Sequence, residues 1–216
     1  MFHKKFVLAI IAASVLAVAV SIIILSSSPQ TDSASNIDGR TPKIEETSGE
    51  VSTTLPFFHR VDDNYLRGSQ PAHGGIATLV SLGVHTLVDL RSKYDRTDDI
   101  KEAAEAAGLE YEWVPTSVWD PPTDDEANRF VSLVTKTERG PFFVFCADGL
   151  NRIGEMTAIY RIAHDNWSVQ KALDEADELG FSPYYYNLRS YVWDYARKFR
   201  PNSVPPNGRR ISLTGL

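Results

Sequence analysis

The fold is decided by residues 142–154, which read Phe142-Phe143-Val144-Phe145-Cys146-Ala147-Asp148-Gly149-Leu150-Asn151-Arg152-Ile153-Gly154. The first five residues form a continuous apolar run, which is typical of a strand buried on both faces of a parallel sheet. A glycine-containing loop and the start of a helix follow it. Because ligands of open α/β sheets bind beyond the carboxyl ends of strands, Cys146 is predicted to lie at the ligand-binding edge.

The loop after this strand carries the residues of an anion site. Backbone N–H groups of the loop and of the helix N-terminus would converge on one point and favour the ionised form of Cys146. Arg152, at the start of the helix, can fold back as a planar donor for two phosphate oxygens. A nucleophile below such a cradle suits phosphoryl transfer through a phosphocysteine. The alternative is a buried cysteine with a purely structural role.

Strands and helices alternate along the chain on either side of this segment. Thr123 with Glu126 forms a predicted capping box, and Ser168 is a predicted helix cap. This alternation predicts an α/β fold with a mainly parallel central sheet flanked by helices. The predicted strands are 64–67, 85–90, 109–114 and 141–146, and the predicted helices are 71–82, 98–107, 123–137, 152–165, 169–179 and 184–199.

Composition excludes several classes of function. The chain has 216 residues, a formal net charge of −6 and a single cysteine. The acidic balance argues against nucleic acid as a partner, since such proteins usually carry a basic surplus. One cysteine allows no intrachain disulfide and no cysteine-rich zinc site, and the five histidines lack paired metal spacing. We therefore predict no metal site.

The N-terminal part predicts a membrane anchor followed by a linker. Residues 6–25 carry no charge and are long enough to cross a bilayer core as one helix. Lys4 and Lys5 precede this run and the next basic residue is Arg40, which predicts a cytoplasmic N-terminus (residues 1–5) and an extracytoplasmic domain. The alternative is a cleaved signal peptide and secretion. Residues 26–54 are predicted to be a disordered stalk, residues 55–201 the folded domain and residues 202–216 a flexible tail.

The motifs resemble those of a known family. Cys146-x5-Arg152 followed by Gly154 resembles the signature loop of cysteine-dependent protein tyrosine and dual-specificity phosphatases. Residues 65–71 resemble the opening segment of the compact bacterial members, and residues 114–122 resemble their acid-bearing loop; the resemblance covers about residues 57–183. It implies a protein-tyrosine-phosphatase-like fold, a nucleophile at Cys146, a phosphate clamp at Arg152, a general acid on the earlier loop and no cofactor. The phosphate-binding residues that it implies are Ala147, Asp148, Gly149, Leu150, Asn151 and Arg152.

Four aspartates are candidates for the general acid. Asp120 is the first choice, because Pro121 and Pro122 would stiffen its loop. Asp124 and Asp125 are alternatives, although carboxylates in the first turn of a helix already interact favourably with its dipole. Asp148, inside the anion loop, is a further possibility. The acid must donate a proton to the leaving oxygen and later accept one from water.

Two positions depart from the family pattern. The family usually has a histidine before the cysteine and a serine or threonine after the arginine, where this chain has Phe145 and Ile153. Both changes should leave Cys146 less ionised and a phosphocysteine slower to break down. The expected function is hydrolysis of phosphate monoesters on a phosphorylated protein or a small phosphoester. The alternatives are a phosphatase-like domain that only binds phosphorylated ligands and a rhodanese-type sulfurtransferase.

Other residues are expected to be structural or to limit the substrate. Acidic Asp148 and the absence of lysine from the loop argue against highly anionic inositol phosphates. Arg67 could reach the phosphate site, but it is predicted to form a structural ion pair instead. The aromatic residues near the C-terminus are predicted to form the packing face of the last helix; they are Tyr184, Tyr185, Tyr186, Tyr191, Trp193 and Tyr195.

Overall fold

The computed structural model describes residues 48–205 of the chain. The predicted anchor at residues 6–25 lies outside the described residues, as do most of the predicted stalk and most of the tail. Among residues 48–205, no helix is both long enough and apolar enough to cross a membrane.

A five-stranded sheet forms the centre of the domain. Its strands are β1 (His59–Arg60), β2 (Tyr65–Ser69), β3 (Thr86–Asp89), β4 (Glu110–Trp113) and β5 (Phe142–Cys146), in the order β1-β2-β5-β3-β4. The pairs β2–β5, β5–β3 and β3–β4 are parallel, and β1 runs antiparallel to β2. The predicted α/β fold is confirmed. The sheet is mixed because β1, which the sequence pattern missed, joins β2 through a short hairpin turn, and such a turn reverses the chain.

Seven α-helices flank this sheet. They are α1 (Ser48–Thr54), α2 (Gly75–Ser81), α3 (Asp99–Ala106), α4 (Asp124–Val134), α5 (Asn151–Ala163), α6 (Val169–Glu178) and α7 (Tyr186–Phe199) within residues 48–205, with short 3₁₀ helices at Thr137–Arg139 and Pro201–Ser203. The capping box of Thr123 and Glu126 is present, as is the Ser168 cap, whose Oγ accepts from the Lys171 N–H at 3.2 Å. Both predicted caps are confirmed.

The boundaries differ from the predictions at two places. Helix α1 lies in the segment predicted to be a stalk, because Val51 packs against the apolar core and the Thr54 hydroxyl is 2.9 Å from the Thr78 hydroxyl. Helix α2 begins at Gly75 rather than at Pro71. A Cβ at Gly75 would lie 2.6 Å from the Thr54 carbonyl oxygen, so the close packing of α1 on α2 needs a glycine there.

The sheet separates two apolar layers. Helices α4 to α7 cover one face, called here the α5 side, where Phe142, Val144 and Cys146 are buried. Helices α1 to α3 cover the other face, the α2 side, where Phe143 and Phe145 are buried. Since successive side chains of a strand point to opposite faces, Cys146 and its neighbour Phe145 face different layers.

Candidate active site

The loop between β5 and α5 wraps around the sulfur of Cys146. The Gly149 N–H donates to Cys146 Sγ at 3.2 Å, and Cys146 is only 1% exposed. Gly149 has a φ of +71°, and a Cβ on it would lie 2.5 Å from the Ser69 nitrogen. A glycine is therefore required for two reasons, the left-handed backbone and the close approach to the end of β2. The sulfur lies at the carboxyl end of the central strand, as predicted.

Arg152 lies in the first turn of α5 with its side chain buried. Its Nη1 donates to Asp95 Oδ2 at 2.6 Å, and Asp95 Oδ1 accepts from the Ser92 hydroxyl at 2.8 Å. Although partial burial raises it, hydrogen bonds from Ser92 and Arg152 lower the pKa of Asp95 below its usual range. Asp95 is thus an anion that holds one nitrogen of the guanidinium. Within residues 48–205, Nε and Nη2 of Arg152 have no other hydrogen-bond partner.

The other loop residues predicted to bind phosphate share this turn. Ala147 and Leu150 are half-buried, whereas Asp148 is exposed. Asn151 starts α5, and its Oδ1 accepts from the Ser182 N–H at 3.0 Å. That bond ties the anion loop to the segment between α6 and α7. The structure therefore brings all six predicted residues, Ala147, Asp148, Gly149, Leu150, Asn151 and Arg152, into one loop and helix start.

Asp120 lies in an exposed loop that is tied to α7. The Asp120 N–H donates to the Ser117 hydroxyl at 3.1 Å, and the Asn187 side-chain amide donates to the Trp119 carbonyl. The Trp119 ring lies 6.3 Å from the Tyr185 ring, centroid to centroid. Among residues 48–205 the Asp120 carboxylate has no hydrogen-bond or ion-pair partner, so it is free to contact a ligand.

The two rival aspartates are in the first turn of α4. Asp124 is paired with Lys198 and accepts from the Tyr191 hydroxyl at 3.1 Å. The hydrogen bond from Lys198, with that from Tyr191, lowers the pKa of Asp124 and keeps this carboxyl ionised. Asp125 is exposed in the same turn. Their positions fit stabilisation of the helix N-terminus.

Arg67 differs from the prediction. Its side chain is 1% exposed and, among residues 48–205, it forms no ion pair with a carboxylate. Its Nη2 donates instead to the Gly149 carbonyl at 3.1 Å, and its Nη1 is buried without a hydrogen-bond partner. The structural ion pair predicted for Arg67 is wrong, because this arginine lies on the α5 side and points at the anion loop.

The two departures from the family pattern lie in different layers. Phe145 is buried on the α2 side, where the Arg91 guanidinium lies 5.3 Å from its ring centroid. Ile153 is buried on the α5 side, in the same apolar layer as Cys146. Both replacements are apolar residues in apolar surroundings.

Three exposed aromatic side chains lie beside candidate site residues in the sequence or in a segment bonded to the anion loop. They are Tyr94 (87% exposed) beside Asp95, Trp119 (75%) beside Asp120 and Tyr184 (87%) in the segment held by Asn151. The prediction that the aromatic residues near the C-terminus form the packing face of the last helix is correct only in part. Trp193 and Tyr195 are buried and Tyr185 and Tyr191 pack against the core, while Tyr184 and Tyr186 point to solvent. Tyr184 precedes α7, so the helical spacing does not apply to it.

Comparison with known proteins agrees with this geometry. Residues 50–189 match the family model described as "DSP-PTPase phosphatase fused to NAD+ Kinase". The chain belongs to the cysteine-dependent dual-specificity phosphatase family. The predicted family is thereby confirmed, and the matched region contains the anion loop, Asp95, Asp120 and Arg67.

Two curated proteins illustrate the relationship. The dual specificity protein phosphatase TpbA of Pseudomonas aeruginosa is 30% identical over 125 residues, which cover 57% of this chain and 55% of TpbA. A probable chloroplastic NAD kinase 2 of Oryza sativa is 26% identical over 119 residues, which cover 49% of this chain and 12% of that protein. The chain thus spans about half of TpbA and about an eighth of the rice protein.

Solved structures show the same fold. The crystal structure of P. aeruginosa TpbA has a TM-score of 0.57 at 26% identity and covers 66% of this chain and 86% of that one. A putative phosphatase from Shewanella putrefaciens has a TM-score of 0.58 at 16% identity and covers 71% of this chain and 97% of that one. The fold is therefore α/β and protein-tyrosine-phosphatase-like.

Sequence reasoning missed the position of Asp95. This carboxylate follows β3, and β3 is parallel to β5 and adjacent to it in the sheet. The carboxyl ends of parallel neighbours meet at one edge, so an acidic residue just after β3 could have been paired with Arg152 in advance. The strand order, which was not predicted, was the missing information.

Proposed function

We propose that this chain hydrolyses phosphate monoesters through a phosphocysteine formed on Cys146. The proposal rests on one observation, the loop that points the Gly149 N–H at the Cys146 sulfur and places Arg152 in the first turn of α5. Membership of the dual-specificity phosphatase family supports an enzyme over a domain that only binds phosphorylated ligands. It gives no support to a sulfurtransferase.

In the proposed first step, the Cys146 thiolate attacks phosphorus and the bond from phosphorus to the leaving oxygen breaks. Nε and Nη2 of Arg152 bind two phosphate oxygens while Asp95 holds Nη1, which orients the planar fork. The loop N–H groups stabilise the charge that develops on the phosphoryl oxygens. The product of this step is the phosphocysteine and the released alcohol.

Asp120 is the proposed general acid. Its carboxyl donates a proton to the leaving oxygen and then accepts a proton from the water that attacks the phosphocysteine. The absence of a partner for this carboxylate within residues 48–205 supports this role over Asp124, which is paired with Lys198. In the second step the sulfur–phosphorus bond breaks and the thiolate is regenerated.

The first test is turnover of p-nitrophenyl phosphate by the full chain. Cys146→Ser should abolish turnover, and activity that survives this change would rule out the phosphocysteine. Asp120→Asn should lower kcat by about 100-fold on a phosphotyrosine peptide and by less on p-nitrophenyl phosphate, whose leaving group needs no proton. Asp125→Asn is the matched control and should leave both rates unchanged. A loss in the control that equals the loss in Asp120→Asn would contradict the assignment.

We propose phosphotyrosine as the substrate class. A variant of TpbA has been crystallised in complex with pTyr. In the present chain, exposed aromatic rings lie next to Asp95, next to Asp120 and in the segment bonded to Asn151, while the anion loop carries Asp148 and no lysine. Exposed aromatic side chains favour a substrate with an aryl group. A polyphosphorylated inositol would instead bring several negative charges close to the Asp148 carboxylate. A phosphotyrosine peptide should therefore have a higher kcat/KM than an inositol polyphosphate, and the reverse order would overturn this choice.

We also propose that residues 6–25 anchor the domain in a membrane with the N-terminus in the cytoplasm. The uncharged run and the lysines that precede it support this placement. The test is protease protection of the full chain in intact cells together with its extraction by carbonate. A chain released by carbonate, with its N-terminus shortened beyond residue 25, would point instead to a cleaved signal and secretion.

A further inference from the structure

Arg67 is a buried cation that has no carboxylate partner among residues 48–205, and such groups are rare. It lies on β2, the parallel neighbour of β5, with Arg67 in register with Val144 and Ser69 in register with Cys146. Because Arg67 and Cys146 both point to the α5 side, the guanidinium lies below the anion loop. Its Nη2 binds the Gly149 carbonyl, and the N–H of the same residue binds the Cys146 sulfur.

The burial of this charge needs a counter-charge. An arginine is protonated in proteins at any physiological pH, and burying it without an anion costs several kcal/mol. The one hydrogen bond to a neutral carbonyl leaves Nη1 without a partner among the described residues. A negative charge near the guanidinium would account for this arrangement.

Three ionisable groups act on Arg67. Burial lowers the pKa of its guanidinium, and the negative forms of Tyr65, Cys146 and Glu175 oppose that shift. Glu175 is already neutralised, since its two oxygens accept from Arg161 at 2.6 and 3.0 Å. Tyr65 is hydrogen-bonded to Thr157 at 3.0 Å, and burial raises its pKa, which keeps it neutral. Cys146, whose sulfur accepts from the Gly149 N–H, is the remaining one of the three groups.

We propose that Arg67 is a positioning residue whose charge holds Cys146 in its ionised form. The residue directly before the cysteine, Phe145, carries no charge and is buried on the opposite face of the sheet. This inference rests on the proposed function, in which the thiolate is the nucleophile. Arg67 acts through the thiolate and the loop.

Other charged groups belong to the same surroundings. On α5, Arg152 is neutralised in part by Asp95 of the segment after β3. Asp148 of the loop is exposed, and its charge is screened by solvent. The remaining titratable groups on β2, on α5 and in the loop at residues 114–122 are Tyr65, Glu155, Tyr160, Arg161 and Asp120.

The test is the rate at which iodoacetamide alkylates Cys146, measured from pH 5 to pH 9 on the full chain. Arg67→Gln removes the charge and keeps a polar amide at about the position of Nε, and Arg67→Met removes the charge without that amide. Arg67→Gln should move the midpoint of the rate profile upwards by about one pH unit, a roughly tenfold slower alkylation at pH 6. Arg67→Lys keeps the charge and should restore most of the native profile. The control is Arg189→Met on α7, which removes a cation paired with Asp177 of α6. This variant should leave the profile unchanged.

Two results would overturn the inference. One is an Arg67→Gln profile that coincides with the native profile, and the other is a lysine variant that behaves like the glutamine variant. Should the glutamine variant not fold, Arg67→Met carries the same expectation. The assay needs no substrate, so a chain with the expected profiles and no phosphoester turnover would refute the proposed function and leave the inference on Arg67 standing.

Discussion

Two arginines on opposite faces of the sheet are equally buried and have very different partners. Arg91, on the α2 side, binds both oxygens of Asp89 and donates to the Gln70 side chain at 3.0 Å. Within the described part of the chain, Arg67, on the α5 side, donates only to the Gly149 carbonyl. Both residues are 1% exposed. The comparison teaches that one guanidinium is balanced by a buried carboxylate of the fold, whereas the other lies beneath the anion loop and has no carboxylate partner among residues 48–205.

The Arg91 network is complete. Asp89, which is fully buried, also accepts from the Tyr111 hydroxyl at 2.5 Å and from the Arg91 N–H at 2.8 Å. Burial, with the hydrogen bond to Asp89, raises the pKa of Tyr111 to about 12, so its hydroxyl stays protonated and remains a donor. No nitrogen of Arg91 is without a partner in the described chain. Because the charged groups of this network are already bonded to one another, none of them is available to bind a ligand.

The largest expected effect separates these two arginines by stability. Arg91→Met leaves Asp89 buried without its cation and should lower the free energy of unfolding by about 3–5 kcal/mol. Arg67→Met removes a charge that has no carboxylate partner among residues 48–205, so the free energy of unfolding should fall by less than about 1 kcal/mol or rise. Urea denaturation followed by tryptophan fluorescence measures both. If the free energy of unfolding fell equally in both variants, the two arginines would not differ in their contribution to stability.

Glu155 extends the comparison to a buried acid. Both its carboxyl oxygens are buried without a partner in the described chain, and burial raises its pKa well above the usual value. The unfolded chain loses this proton near pH 4.5, whereas the folded chain keeps it, so Glu155 makes the fold less stable as the pH rises from about 4 to 7. Glu155→Met should remove this slope and raise the unfolding free energy at pH 7 by about 1–3 kcal/mol.

Denaturation at a series of pH values provides the measurement for Glu155. Glu178→Gln, an exposed acid on α6, is the control and should keep the native slope. A slope that persists in Glu155→Met would mean that another group is responsible. A loss of stability at pH 7 in that variant would mean that the carboxyl has a favourable partner.

Much of the fold could be predicted because the decisive residues are local in the sequence. The apolar run of β5, the capping box at Thr123 and the Cys146-to-Arg152 spacing each lie in one short window. The partners Asp95 and Arg67 could not be predicted in the same way. They lie on other strands, and only the order β2-β5-β3 brings them to the loop. The helix α1 was missed because its polar sequence is stabilised by tertiary contacts rather than by its own propensity.

The ion pair of Asp95 and Arg152 is intermediate between the Arg91 and Arg67 cases, because Arg152 has a carboxylate partner but that partner is partly exposed. The carboxylate holds Nη1, and in the proposed mechanism Nε and Nη2 bind the phosphate. Asp95→Asn keeps a polar acceptor and loses the charge, so kcat/KM for p-nitrophenyl phosphate should fall about five- to tenfold. Asp98→Asn, on an exposed residue paired with Arg96, is the control. A rise in kcat/KM in Asp95→Asn would show that Asp95 competes with the phosphate instead of positioning the arginine.

The smallest expected effect concerns the position before the cysteine. A histidine at residue 145 would face the α2 side, where the Arg91 cation already lies over the ring and is balanced by Asp89. Phe145→His therefore loses a cation–π contact of about 0.5–1 kcal/mol and places its imidazole beside a completed network. We expect the alkylation rate of Cys146 at pH 6 to change by less than about twofold. Arg67→Gln, measured in parallel, should change that rate about tenfold. If the thiol of Phe145→His were much more reactive than the native thiol, a charge on the α2 side would also influence the sulfur. The two faces of the sheet would then differ only in the size of their effect on Cys146.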